Sequence, residues 1–257
     1  MAMSAQALRA LQVGKILGSD DVKETYRRTF VGPLWITIGL AVQIAMIGIV
    51  FSLIFGTEIS TYLPYLAISL VMWNLLQQTV NEGASAFIGS ERLIKQMPLP
   101  FLSYVFRVVW KQTFIFGHNF LVIPAVFLIF RYELTWYALF APVGLILVLA
   151  NLTWISAIVA LVSSRFRDVP PIVQSLMTMA FYVSPIIWLP EAIPASYRDI
   201  ILGLNPVFHM MELVRRPLLG ELPGLSSLAI VATTALLGSL LARFLLRRYR
   251  HRIPFWV

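Results

Sequence analysis

The sequence predicts an all-α membrane protein with six transmembrane helices, and three observations carry that prediction. Of the 257 residues, 59% are apolar and only 12% are charged, with a mean hydropathy of +0.81, which is more apolar surface than a soluble chain can bury. Uncharged or nearly uncharged runs fall at about 34–56, 62–82, 108–130, 135–163, 171–189 and 225–246. Each has about the length that crosses roughly 30 Å of hydrocarbon at 1.5 Å per helical residue. The first, LWITIGLAVQIAMIGIVFSLIFG, is apolar all round, which suits a helix in lipid and not the alternating strand of a membrane barrel.

Residues 1–33 precede the first span. They contain no continuous apolar core ending in a small-residue cleavage site, so the first span is expected to direct insertion itself. Asp21 followed by Glu24 reads as a helix start of the capping-box kind, and Val22, Tyr26 and Phe30 then share one face at i, i+4 and i+8. Lys23, Arg27 and Arg28 lie on other faces, where each gains about 1 kcal/mol from anionic headgroups. Gly32-Pro33 ends this amphipathic surface segment, because proline disfavours helix at the residue before it and suits the first turn of the next helix. Trp35 then falls at the membrane interface, where tryptophan is enriched.

Between spans two and three, GSERLIKQMPLP offers Ser90 as a helix cap, Glu91 to Lys95 as good helix formers, and Pro98 and Pro100 as a stop. The reading places apolar Leu93, Ile94 and Met97 on a short exposed helix over about 89–98, the pattern of a protein interface. Span four carries Ser156, Ala160 and Ser164 at small-xxx-small spacing, which permits close helix packing. Arg165, Arg167 and Asp168 follow in the turn to span five. In the loop at about 190–224, Pro190, Pro194, Pro206, Pro217 and Pro223 divide the chain, and Asn205-Pro206 reads as cap and first helical residue of VFHMMELVRR. Glu212 and Arg216 are spaced for an i, i+4 ion pair worth a few tenths of a kcal/mol. Phe208, Met210, Met211, Leu213 and Val214 make this loop too apolar to hang free. Short helices dipping back into the outer leaflet are expected.

Sixteen of the 20 lysines and arginines fall in the N-terminal segment, the loops after spans two and four, and the basic tail that includes 247–257. Both termini are therefore expected in the cytoplasm. The net charge of +8 follows from this placement and needs no nucleic acid. With no cysteine, thiol catalysis and zinc–cysteine sites are excluded, and no metal site, serine-hydrolase pattern or phosphate-binding loop is found. His118 is the one titratable side chain expected well inside a helix, and a packing role is the first expectation for it. Transporters coupled to protons or ions place ionisable groups at depth, so work by this chain would draw its energy from a partner.

The order of these parts resembles the permease subunit of ABC-2-type polysaccharide exporters, which move O-antigen, capsule and teichoic-acid chains. The resemblance rests on YRRTFVGPLW, SERLIKQMPLPFLSYVFR, SSRFRDV, NPVFHMMELVRRPLLG and the closing RHRIPFWV. It implies the ABC-2 permease fold, a multi-pass protein of the bacterial inner membrane, and a homodimer. It also implies two copies of a separate ATPase subunit holding ATP and Mg, with no cofactor in this chain, and a polyprenyl-linked polysaccharide as cargo. Ser90 to Pro98 would be the coupling helix, with Leu93, Ile94 and Met97 in a cleft of the ATPase beside Glu91 and Lys95. Lys23, Tyr26, Arg27 and Arg28 would lie at lipid headgroups or at the pyrophosphate of the cargo. Segments 192–202 and 206–219 resemble paired outer re-entrant helices, with Asn205, Pro206, Phe208, Met211, Glu212 and Arg216 as gate candidates. Spans one and five would line the path, where Trp35, Phe51, Phe55, Tyr182 and Trp188 offer aromatic faces on which sugar rings slide. An ABC-2 permease for a drug or small lipid is the alternative within the class. A partner-free channel or enzyme is the alternative outside it, against which the carboxylate-poor spans and the occluding outer loop argue.

Overall fold

The computed structural model describes residues 2–27, 32, 34–97 and 99–257. Every long element among them is an α-helix. Helix α1 (Ala2–Tyr26) runs along the bundle, and α2 (Leu34–Phe55) and α3 (Ile59–Ala84) form the first pair of spans. A short α4 (Glu91–Gln96) leads to α5 (Leu102–Asn119) and α6 (Val122–Phe130), then come α7 (Ala141–Arg165) and α8 (Val169–Val183). Two short helices, α9 (Ala195–Gly203) and α10 (Pro206–Leu218), precede the long α11 (Leu225–Tyr249) and a final turn, α12 (Ile253–Trp256).

Helix α3 is the axis. In its most apolar window 78% of residues are buried, against 22% for α2, and it packs on α2, α5, α6, α7, α8 and α10. Its sequence allows this because apolar side chains point to all sides, as in a core helix, and because Gly83 lets α7 approach. A Cβ there would come within 2.5 Å of Ser156 Oγ, and Ser156 donates to the Thr79 carbonyl at 3.2 Å. Ser156, Ala160 and Ser164 are all buried, so the small-residue spacing in α7 serves packing within the subunit. On the far side of α7, buried Asn151 donates to the Val231 carbonyl of α11 at 2.9 Å and accepts from Trp154 Nε1 at 2.9 Å, while Gly238 makes room for the Trp154 indole.

Among the described residues, five segments are long and apolar enough to cross a membrane: Leu34–Phe55, Ile59–Ala84, Leu102–Phe130, Trp136–Arg165 and Leu225–Tyr249. The fifth expected span differs. Helix α8 has 15 residues, about 22 Å at 1.5 Å per residue, and stops at Val183 instead of continuing to 189. The stop is local: Pro185 pushes Ser184 out of the helical region, to φ −89° and ψ 146°.

The N-terminal expectation is also corrected. Asp21 does not start a helix; α1 is already helical from Ala2 and passes through it. Ala10, Gly14, Gly18 and Val22 form a buried stripe at i, i+4 spacing that lies on α5. A Cβ at Gly18 would approach the Arg107 carbonyl to 2.6 Å, and one at Gly14 would approach the Ser103 carbonyl to 2.8 Å. A break does follow, at Gly32, with φ +63°. Phe30 and Pro33, also assigned to this amphipathic segment and its end, lie outside the described residues.

Candidate functional site

One end of the bundle collects α1, α4, α12 and the turn between α7 and α8. There Arg107 of α5 grips Asp21 of α1 in a bidentate pair, with both N–H···O distances at 2.6 Å, and Trp110 donates to Ser19 Oγ at 3.0 Å. Asp21 is thus a docking group and not a cap. Lys23 pairs with Asp20 at 3.1 Å on the exposed side, and Arg27 is exposed just past the helix end. Tyr26 is half-buried, which pushes its phenol up. Arg28 lies outside the described residues. Deeper, Lys111 and Glu82 pair at 3.0 Å between α5 and α3.

At α4 the expected helix forms but its details differ. Ser90 occupies the cap position without a side-chain capping bond, because a 3-10 turn at Ile88–Ser90 already feeds the helix and buries the residue. Lys95 donates to Glu91 at 2.7 Å, and that bond with the Lys95 charge holds the Glu91 carboxyl below the usual carboxylate range. Of the three apolar residues expected to project, Met97 does, at 49% exposed. Leu93 is half-buried, and Ile94 is buried in a cluster with Phe87, Tyr104 and Ile253. The correction has a geometric cause: a helix this short has one face turned to its support, and Ile94 occupies it. Pro98 lies outside the described residues.

The opposite end holds α9 and α10. Asn205 caps α10 as expected, its Oδ1 accepting from the Phe208 N–H at 3.1 Å, and Pro206 is the first helical residue. Both His209 nitrogens are engaged, Nδ1 with Ser227 Oγ at 2.8 Å and Nε2 with the Gly203 carbonyl at 2.9 Å. Met211 is fully buried and Phe208 half-buried. Glu212 does meet Arg216, at 3.5 Å, but its principal partner is Arg215, at 2.7 Å. Arg216 forms a closer pair with Glu221, at 2.7 Å.

Arg215 is the residue that sequence reasoning passed over. Only 1% exposed, it donates to Tyr65 Oη at 2.7 Å, Ser69 Oγ at 3.2 Å and the Pro185 carbonyl at 2.6 Å, and its guanidinium lies 4.4 Å from the centroid of the Tyr65 ring. Tyr65 itself donates to the Pro185 carbonyl at 2.7 Å. The cluster therefore ties α10 to α3 and to the chain that leaves α8. The i, i+3 spacing of Glu212 and Arg215 was the one signal in the sequence. The partners on α3 and at Pro185 are remote in the chain and gave none.

Helices α2 and α8 both pack on α3 and both turn apolar faces outward. Trp35 and Tyr182 are 69% and 70% exposed and Phe55 is 38% exposed, whereas Phe51 and Trp188 are half-buried. The Phe51 and Phe55 rings lie 5.6 Å apart, and Trp188 Nε1 donates to the Tyr182 carbonyl at 3.1 Å. On α8 the exposed stripe continues through Ile172, Leu176 and Met179. His118 sits at the end of α5 with Nδ1 3.0 Å from the Phe114 carbonyl and its ring against Phe114, a local packing arrangement.

Residues 13–219 match the ABC-2 type transporter family. Among curated proteins, the O-antigen export system permease protein RfbA of Myxococcus xanthus is 23% identical over 192 residues, covering 74% of each chain. Two proteins of the same name from Klebsiella pneumoniae are 24% and 25% identical over 205 and 199 residues, each covering 76% of both chains.

Proposed function

The chain belongs to the ABC-2 type transporter family, and from that premise we propose that it is the membrane-spanning subunit of an exporter for a lipid-linked polysaccharide, driven by ATP hydrolysis in a separate partner chain. The observation that carries the cargo class is the similarity to three O-antigen export permeases over about three-quarters of this chain. Two features of the structure support the assignment. The outward aromatic faces of α2 and α8 suit a polymer that must slide without a fixed register. The short α4, with Met97 exposed beside the Glu91–Lys95 pair, suits a contact with an ATPase that delivers force to the bundle.

In this reading the chain works as a homodimer in the bacterial inner membrane with α1, α4 and both termini on the cytoplasmic side, and ATP and Mg stay on the partner. Lys23 and Arg27 face lipid headgroups or the cargo pyrophosphate, which charge-assisted donors suit. Helix α10, locked by Arg215, closes the outer end. The test is to tag the full chain, extract native membranes in mild detergent and identify co-purifying proteins by mass spectrometry. An ATPase present with the wild type and lost with Met97→Asp is the expected result. Recovery of no ATPase, under conditions that keep other membrane complexes intact, removes the energy source and the proposal with it.

A further inference from the structure

Residues 250–257 follow the last long helix and carry Arg250, His251 and Arg252, the composition of a solvated basic tail. The structure gives them another role. After Tyr249 the chain turns back, and Ile253 becomes wholly buried and Val257 nearly so. They enter the same apolar cluster as Ile94 of α4, Tyr104 of α5 and Leu161 of α7. Trp256 is clamped from two sides, with the Arg165 guanidinium 5.3 Å from its ring centroid and the Tyr249 ring at 5.7 Å. A helix of six residues has no stability of its own in water. The inner face of α4 therefore depends on what lies behind it, and α12 is in contact with it.

The same fold-back creates a surface. A cleft of about 440 Å³ lies between α4 and the returning chain, lined by Met97, Leu99, Phe101 and Pro254 as apolar groups and by Lys95, Arg250 and His251 as polar ones. None of the described residues that line it is a carboxylate. We infer that residues 250–257 form the second wall of the surface on which the ATPase partner docks. Ile253 and Trp256 hold α4 in its docking pose, and Arg250 meets an acidic segment of the partner that carries an apolar side chain into the cleft. The inference rests on the exporter reading above and deepens it. A cationic rim around an apolar floor selects by charge and binds by burial, and Met97, exposed at the edge of the cleft, belongs to both walls.

The experiment uses the full chain expressed with its own ATPase and measures the ATPase retained per permease, in three variants. Met97→Asp tests the underlying reading: wild-type retention there overturns the ATPase contact at α4 altogether. Arg250→Glu tests the second wall, because Arg250 is exposed and its reversal leaves the fold intact. Retention is expected to drop about tenfold at low ionic strength, with the deficit shrinking as salt rises. Trp256→Ala tests the brace: retention and ATP hydrolysis coupled to the permease are expected to fall together, with Trp256→Phe restoring both because a ring remains under Arg165. If Arg250→Glu and Trp256→Ala both retain wild-type ATPase while Met97→Asp loses it, docking is confined to α4 and this inference is wrong. Should Trp256→Ala lower the thermal stability of the permease itself, the exposed Arg250 decides alone. A deficit there that does not respond to salt counts against the inference.

Discussion

Replacing Arg215 by Met removes the charged centre of the α10 cluster and keeps most of the side-chain volume. Glu212 would then hold a carboxylate whose side chain is only 11% exposed, with Arg216 at 3.5 Å as its one remaining ion-pair partner among the described residues. Breaking a buried pair from one side costs about 3–5 kcal/mol, which at roughly 2–4 °C per kcal/mol for a chain of this size lowers the melting temperature by roughly 6–20 °C. The decisive comparison is the double variant Arg215→Met with Glu212→Leu. It removes both charges, Arg216 keeps Glu221 at 2.7 Å, and the Pro185 carbonyl keeps the Tyr65 hydroxyl at 2.7 Å. Replacing a whole buried pair by apolar groups is close to neutral, so the double variant should melt well above either single one. Thermal unfolding of the detergent-solubilised protein, followed by intrinsic tryptophan fluorescence, measures all four members of the cycle. If the two single losses simply add, Arg215 and Glu212 are not coupled and the account of the cluster fails.

The other expectations concern separate parts of the molecule. Gly18→Val places a side chain against the Arg107 carbonyl, 2.6 Å from its Cβ, and should cost about 1–3 kcal/mol of α1 docking, read as faster proteolysis within residues 7–26 while the bundle stays intact. Arg107→Ala should free α1 in the same assay, with Asp21→Asn giving a smaller effect because one hydrogen bond survives. Trp35→Ala and Tyr182→Ala change exposed residues and should alter stability by no more than about 0.5 kcal/mol, yet reduce surface polysaccharide if the sliding faces are correctly assigned; unchanged export removes them from the path. Lys95 holds the Glu91 carboxyl low, so its contribution is present above the ordinary carboxylate range and is lost as pH falls through the depressed value. Glu91→Gln should abolish that acid dependence in the binding of the proposed ATPase, holding it at every pH near the level that the wild type reaches in acid.

Periodicity and charge made much of the architecture legible. A run without charge identifies a helix in lipid whatever its neighbours, and the Asn205-Pro206 signal located α10 to the residue because cap and first-turn chemistry are local. Local chemistry also misled. Asp21 and Glu24 have the spacing of a cap, but nothing in the preceding residues breaks a helix, and the stripe from Ala10 to Val22 gained more from lying on α5. Ile94 looked exposed because its cover, Ile253 and its neighbours, comes from far along the chain. Arg215 was indistinguishable from the adjacent Arg216 in the sequence. Only the approach of Tyr65 and Pro185 separates a buried cluster from a surface charge. The short α8 shows the limit of counting apolar residues, since hydropathy continues past Ser184 while the backbone, turned by Pro185, does not.

The central claim is that this chain exports a lipid-linked polysaccharide, and one measurement addresses it without intermediaries. The chain is depleted in its native cell, and polyprenyl-linked glycan is quantified inside and outside the inner membrane. The account predicts that full-length lipid-linked glycan accumulates on the cytoplasmic side while surface glycan disappears, and that the wild-type chain reverses both. Normal surface glycan, with a drug or small lipid retained instead, would contradict it.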